Sequence, residues 1–179
     1  MSPTPPPPAP SLRVVPAAPA DIPLILRFIR ELAEYEKLAS EVAATEAVLA
    51  EELFGERPAA QVLLAYEGAE PVGFAVFFHN FSTFVGRRGL YLEDLFIRPE
   101  HRGKGYGRAL LVELARIAVE RGCGRFEWAV LDWNEPAIRF YRRLGAVSMD
   151  AWKVFRVTGP ALTALARGGP EESSRGGPD

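Results

Sequence analysis

Disulfides are out of reach for this chain, which has one cysteine, Cys123, among 179 residues. Two histidines beside that cysteine leave too few ligands for a Cys/His zinc site, so no metal is expected. Such sparse cysteine usage suits a reducing compartment, and a cytoplasmic location is expected. Long apolar runs are missing too. The longest clean one, residues 74–78, falls far below the ~20 residues a membrane helix requires, and no membrane partner is expected. Residues 1–10 combine neither a basic start nor an unbroken apolar core, and do not read as a secretory signal. Excess charge of one sign is also absent. With a formal net charge of -2 and a pI near 5.8, no global field favours nucleic acid, and any polyanion site must be local.

What is present is a chain 48% hydrophobic and 25% charged, enough for one domain with a full core and too short for two ordinary ones. Residues 1–11, with Pro3 and Pro5 to Pro8, and residues 167–179, rich in Gly, Pro, Ser and charge, read as disordered tails around a folded unit over 12–166. Inside it, residues 12–15 suggest an opening strand. Pro19 and Asp21 introduce a helix with Ile22, Ile25, Ile29 and Leu32 at helical spacing. Thr45 is placed to cap a second helix that stops at Gly55. Residues 61–66 and 72–78 read as strands around the turn Glu67-Gly68-Ala69-Glu70, and 90–97 as another. A helix ending near Gly122, a strand over 125–131, a helix from Asn134-Glu135-Pro136 to Gly145, a last strand over 152–157 and a short helix over 160–166 complete the order. Hairpin strands followed by alternating strands and helices imply a mixed sheet covered by helices.

The most informative segment is Leu95-Phe96-Ile97-Arg98-Pro99-Glu100-His101-Arg102-Gly103-Lys104-Gly105-Tyr106-Gly107-Arg108, a strand end that passes through glycines into a helix. A helix start carries unpaired N–H groups and the positive end of the helix dipole, and glycines let phosphates approach that backbone. Two glycines at fixed offsets from a basic residue arise by chance about once in 200, and the chain has 21 Lys plus Arg. Position between strand and helix is therefore what gives the pattern weight. A tight strand-to-helix connection with no ligand is the competing reading. The glycines follow a late strand with the wrong spacing for a dinucleotide-binding Gly-x-Gly-x-x-Gly after the first strand.

Four separated segments extend the pattern: residues 30–38 (Arg-Glu-Leu-Ala-Glu-Tyr-Glu-Lys-Leu), Tyr91-Leu92-Glu93-Asp94, Ala129-Val130-Leu131-Asp132-Trp133-Asn134, and Phe140-Tyr141-Arg142-Arg143-Leu144-Gly145-Ala146. Together with the glycine turn they resemble the GNAT superfamily of acyl-coenzyme A-dependent N-acetyltransferases, in its diamine (spermidine/spermine) and thialysine acetyltransferase branch. The resemblance implies an α/β (α+β) fold with a mixed, mostly antiparallel sheet flanked by helices. It implies acetyl-CoA as cosubstrate, a small-molecule primary amine as acceptor, direct attack in a ternary complex, and a homodimer with residues 152–157 near the partner.

The resemblance also implies site residues. Pantetheine would pair with the backbone of Leu95, Phe96 and Ile97 where two strands splay, and the diphosphate would sit on Gly103, Lys104, Gly105, Tyr106, Gly107 and Arg108. Arg102 and Lys104 are either contacts or solvated loop charges; Asn134 is either a helix cap or a cofactor contact. Relatives often carry Ser where this chain has Ala137, which removes a hydroxyl from the cofactor site. Tyr141 would stand beside the coenzyme sulfur. Tyr titrates near ~10 and a thiol near ~8.5, so donating a hydrogen bond to developing thiolate describes it better than complete proton transfer, which is uphill by about 2 kcal/mol.

An alkyl amine near pKa ~10.4 costs about 4.6 kcal/mol to deprotonate at about pH 7, so something must take that proton. Glu93 is the residue the resemblance assigns, with burial needed to bring it closer to the amine. Strand alternation puts Glu93 and Asp94 on opposite faces unless a bulge intervenes. Asp94, Tyr35 and Glu36 are further amine-binding candidates, Glu36 with the alternative of a solvated helix face. Competing functions are a protein or peptide N-acetyltransferase and, in a different class, a non-catalytic CoA-binding sensor. Phe84, where polyamine enzymes carry Trp, weakens transfer of polyamine specificity.

Overall fold

A run such as Gln61-Val62-Leu63-Leu64-Ala65-Tyr66 has no polar alternation, so as a strand it must be covered on both faces. The computed structural model, which describes residues 12–169, places it in that way. Of the expected tails over 1–11 and 167–179, all but residues 167–169 lie outside the described residues. Five strands, β1 (Leu12–Pro16), β2 (Gln61–Glu67), β3 (Glu70–Ser82), β4 (Arg87–Ile97) and β5 (Phe126–Trp128), form one sheet in sequential order. The first four make an antiparallel meander, and β5 joins β4 in parallel. A parallel neighbour requires a crossover, supplied here by helix α3 (Tyr106–Glu120).

Helix α1 (Ile22–Tyr35) covers one face. Its Ile25, Phe28 and Leu32 meet Val62, Leu64, Phe74 and Phe96 in one buried cluster. Phe28 and Phe74 stack with ring centres 5.4 Å apart. By alternation Leu63, Ala75 and Phe77 face the other way, and α3 packs on β4, β1 and β2 with Leu110 and Leu114 fully buried. Helix α2 (Glu46–Phe54) packs on α1. Its expected cap holds: Thr45 Oγ1 accepts from the Val48 amide at 3.3 Å.

The described residues fall into two compact units divided between Val130 and Leu131. The second carries α4 (Glu135–Arg143) and α5 (Gly159–Ala166). Asn134 Oδ1 accepts from the Ala137 amide at 3.4 Å, so its capping reading is realised.

Two strand expectations are corrected. The strand over 125–131 is trimmed to Phe126–Trp128, the residues paired with Leu90–Leu92. The strand over 152–157 does not form, and Trp152, Val154 and Phe155 are 72%, 85% and 90% exposed. Aromatic and β-branched composition favours a strand only where an edge is there to receive it. In the opposite direction β3 outruns its expected end, extending to Ser82 because β4 begins at Arg87 and pairs back along it.

Candidate active site

Site geometry starts from a ladder irregularity. Val76 pairs with Asp94 but Phe77 pairs with Leu92, leaving Glu93 as the extra residue of a β-bulge. Residues directly opposite share a face, so the pairs Phe74 with Phe96, Val76 with Asp94 and Phe78 with Tyr91 put Tyr91 and Asp94 on the face covered by α1. Strict alternation would have separated them. Glu93 is exposed while Asp94 is half-buried. Burial, then the neighbouring charges of Glu93 and Glu36, push the Asp94 carboxyl up to about 6. Burial thus acts on Asp94, whereas the sequence pointed to Glu93.

Glu36 arrives from the end of α1. That helix closes with Lys37 in a left-handed conformation, φ 63°, and the Leu38 amide donates to the Ala33 carbonyl at 2.8 Å. A non-glycine residue in this region is strained and marks a place the surroundings hold firmly. Burial raises the Glu36 carboxyl as well. The charges of Glu93 and Glu36, two of the other three candidate amine-binding residues, thus both act on the Asp94 carboxyl. Tyr35, the fourth, lies under the guanidinium of Arg102, 4.2 Å from ring centre to Cζ.

On the cofactor side, β4 runs on from Glu93 to Ile97 after its last pair with β5. Its outer edge there is the splay expected to receive pantetheine at Leu95, Phe96 and Ile97, although the Ile97 carbonyl already accepts from Arg102 Nε at 2.9 Å. Gly103 (φ 78°) and Gly105 (φ 86°) are left-handed, with open space around them. Gly105 is the cap of α3 and has no side chain to offer, so the first-turn amides of α3, from Tyr106, Gly107 and Arg108 onward, lack the side-chain partner that Thr45 gives α2. At Gly107 an added Cβ would lie 3.9 Å from Ile97 Cγ1. These features suit an anionic diphosphate, and the donors are backbone groups.

Lys104 is not a free loop charge, since its Nζ donates to both carboxylate oxygens of Glu67 at 3.1 and 3.0 Å. Tyr106 donates its hydroxyl to the same carboxylate at 2.6 Å. Sequence reasoning missed Glu67, which read only as a turn residue. Asn134, Ala137 and Tyr141 belong to the second unit. Ala137 and Tyr141 are half-buried on α4, and the Tyr141 ring lies 5.4 Å from that of Phe140.

The chain belongs to the Acetyltransferase (GNAT) family, whose profile matches residues 27–146. It is 40% identical over 153 residues to the thialysine N-epsilon-acetyltransferase of Sus scrofa, covering 79% of this chain and 89% of that one. It is 34% identical over 194 residues to the L-ornithine N5-acetyltransferase NATA1 of Arabidopsis thaliana, covering 83% and 85%. Among solved structures, an integron cassette protein of V. cholerae superposes with a TM-score of 0.75 at 28% identity, covering 88% of this chain and 98% of that one. The protein is an N-acetyltransferase that uses acetyl-CoA, and no helix among the described residues is long and apolar enough to cross a membrane.

Proposed function

We propose that the chain transfers the acetyl group of acetyl-CoA to a primary amine of a small diamine or thialysine-like amino acid, by direct attack in a ternary complex. The observation that carries this reading is the bulge that puts Asp94 on the face covered by α1, where the charges of Glu93 and Glu36 both act on it. Three carboxyls close together favour a cationic ligand, and an acceptor carrying a second charge gains from the extra one. The thialysine and ornithine acetyltransferases similar to this chain are named for acceptors of that chemistry.

Bound acetyl-CoA supplies the thioester. The turn over 103–108 and the free edge of β4 hold it, by backbone groups. Glu36 and the bulged pair draw in the ammonium, and the Glu93–Asp94 pair takes its proton, with the Asp94 carboxyl raised by burial to about 6. Raising a carboxyl to about 6 shortens the gap to an amine near ~10.4. The amine nitrogen then bonds to the acetyl carbon, the carbon–sulfur bond breaks, the nitrogen gives up its second proton to the departing thiolate, and the Tyr141 hydroxyl donates a hydrogen bond to that sulfur.

The protein is further assigned to the cytoplasm as a homodimer. Exposed Trp152, Val154 and Phe155 support the second assignment, because contiguous apolar exposure is costly on a monomer. A light-scattering mass equal to one chain at micromolar concentration would refute it. The functional reading is tested by thiol release from acetyl-CoA against a panel of diamines, basic amino acids and peptides. Turnover with diamines or basic amino acids is expected; turnover with peptides alone, or CoA binding without any turnover, contradicts the proposal.

A further inference from the structure

Glu67 is the last residue of β2, at the hairpin into β3, and pairs across it with Glu70. Its carboxylate gathers groups from one short stretch of a distant segment. Tyr106 donates through its hydroxyl at 2.6 Å, Lys104 through Nζ at 3.0 Å, and His101 Nδ1 lies 2.8 Å away. The second ring nitrogen of His101 faces Glu70 at 3.3 Å. His101 is buried, and the Glu67 side chain is only 13% exposed.

These partners bracket the glycine turn. His101 stands before it, Lys104 lies between Gly103 and Gly105, and Tyr106 is the first residue of α3. Both glycines are left-handed with no atom near enough to contact an added Cβ, so local packing does little to hold the turn in shape. Glycine also loses more conformational freedom on ordering than any other residue. An anchor from outside the turn is what keeps its amides converged.

We propose that Glu67 is a positioning residue for coenzyme binding: its carboxylate holds His101, Lys104 and Tyr106 so that the turn is ordered before the diphosphate arrives. The inference rests on the reading that this turn receives the diphosphate. The Glu67 contacts run to the turn, through Tyr106, Lys104 and His101, so Glu67 acts on affinity for the coenzyme and not on the chemical step. Preorganisation of this kind lowers the ordering entropy that binding must otherwise supply.

The test compares acetyl-CoA with acetylpantetheine, a donor with the same thioester and no diphosphate. In Glu67→Ala, KM for acetyl-CoA is expected to rise roughly tenfold, with kcat within about twofold of the unaltered chain. For acetylpantetheine, kcat/KM should stay level. Glu67→Gln keeps an acceptor for Tyr106 but cannot balance the Lys104 charge, and should fall between the two. Should Glu67→Ala fail to fold, as judged by circular dichroism, Tyr106→Phe deletes one hydroxyl and should raise KM for acetyl-CoA without touching acetylpantetheine. Equal losses with both donors, or an unchanged KM for acetyl-CoA in every variant, overturn the role of Glu67. An unaltered chain that uses acetylpantetheine as well as acetyl-CoA overturns the diphosphate reading itself.

Discussion

Arg102 stands over the ring of Tyr35 at 4.2 Å and, through Nε, donates to the Ile97 carbonyl at 2.9 Å. One side chain thus joins the glycine turn, the end of β4 and the end of α1, which are the places assigned to diphosphate, pantetheine and amine. Its value lies in this bracing, because an exposed guanidinium adds little as a bare charge. Arg102→Met retains length and removes both the stack and the hydrogen bond. It should raise KM for acetyl-CoA and for the amine together and lower stability by about 1–2 kcal/mol, read by initial rates and urea denaturation. A change confined to acetyl-CoA would show that Arg102 does not couple the two sides.

Asp94 is predicted to trade stability for activity. Its carboxyl is raised from 3.8 to about 6, so the folded state holds its proton more tightly than the unfolded chain. The stabilising share is complete below pH 3.8 and disappears as pH rises through about 6. At neutral pH the ionised group is a cost, and Asp94→Asn should stabilise the fold by up to about 3 kcal/mol. The same change should lower kcat/KM for the amine roughly a hundredfold and abolish the rise in rate as pH passes through about 6. A pH–rate profile unchanged in the variant would remove Asp94 from the proton path.

Glu67 carries the opposite sign. Hydrogen bonds from Tyr106 and Lys104, then His101, hold its carboxyl down at about 2, against an ordinary 4.5. Its contribution is present above pH 4.5 and is lost as pH falls towards about 2. Acid titrations of the unaltered chain and Glu67→Gln should therefore converge at low pH after differing at neutral pH. Parallel curves throughout would mean that the hydrogen bonds are not made in solution.

Gly73 lies opposite Ile97, and a Cβ there would come within 2.3 Å of the Phe96 carbonyl oxygen and 2.5 Å of Ile97 Cδ1. Backbone cannot yield as a flexible side chain does. Gly73→Ala is predicted to cost about 1–3 kcal/mol and to displace the end of β4, with weaker CoA binding as the functional sign. A neutral melting temperature would contradict the close approach.

Local chemistry made most elements legible before any coordinates. Thr45 and Asn134 announced helix starts with hydroxyl and amide caps, and both caps form. Apolar spacing from Ile22 to Leu32 found α1, and the glycines between β4 and α3 found the turn. What stayed hidden depends on partners far along the chain. The bulge at Glu93 is a property of the register between β3 and β4, so alternation within β4 could not reveal which carboxyl is buried. Glu67 reaches residues 34 to 39 positions away and has no motif of its own. Residues 152–157 have strand composition, but composition alone does not make a strand.

Calorimetric titration of CoA into the folded protein tests the central claim most directly, with Gly105→Val as the comparison. Gly105 sits at φ 86° with no atom within 4 Å of an added Cβ, so valine strains the turn through its backbone conformation, at a local cost of about 1–2 kcal/mol. The account predicts a saturable isotherm with one CoA per chain and affinity at least roughly tenfold weaker in Gly105→Val at unchanged circular dichroism. Absence of binding heat from the folded unaltered chain at several temperatures, or equal affinity in the two proteins, would contradict a coenzyme held by the backbone of this turn.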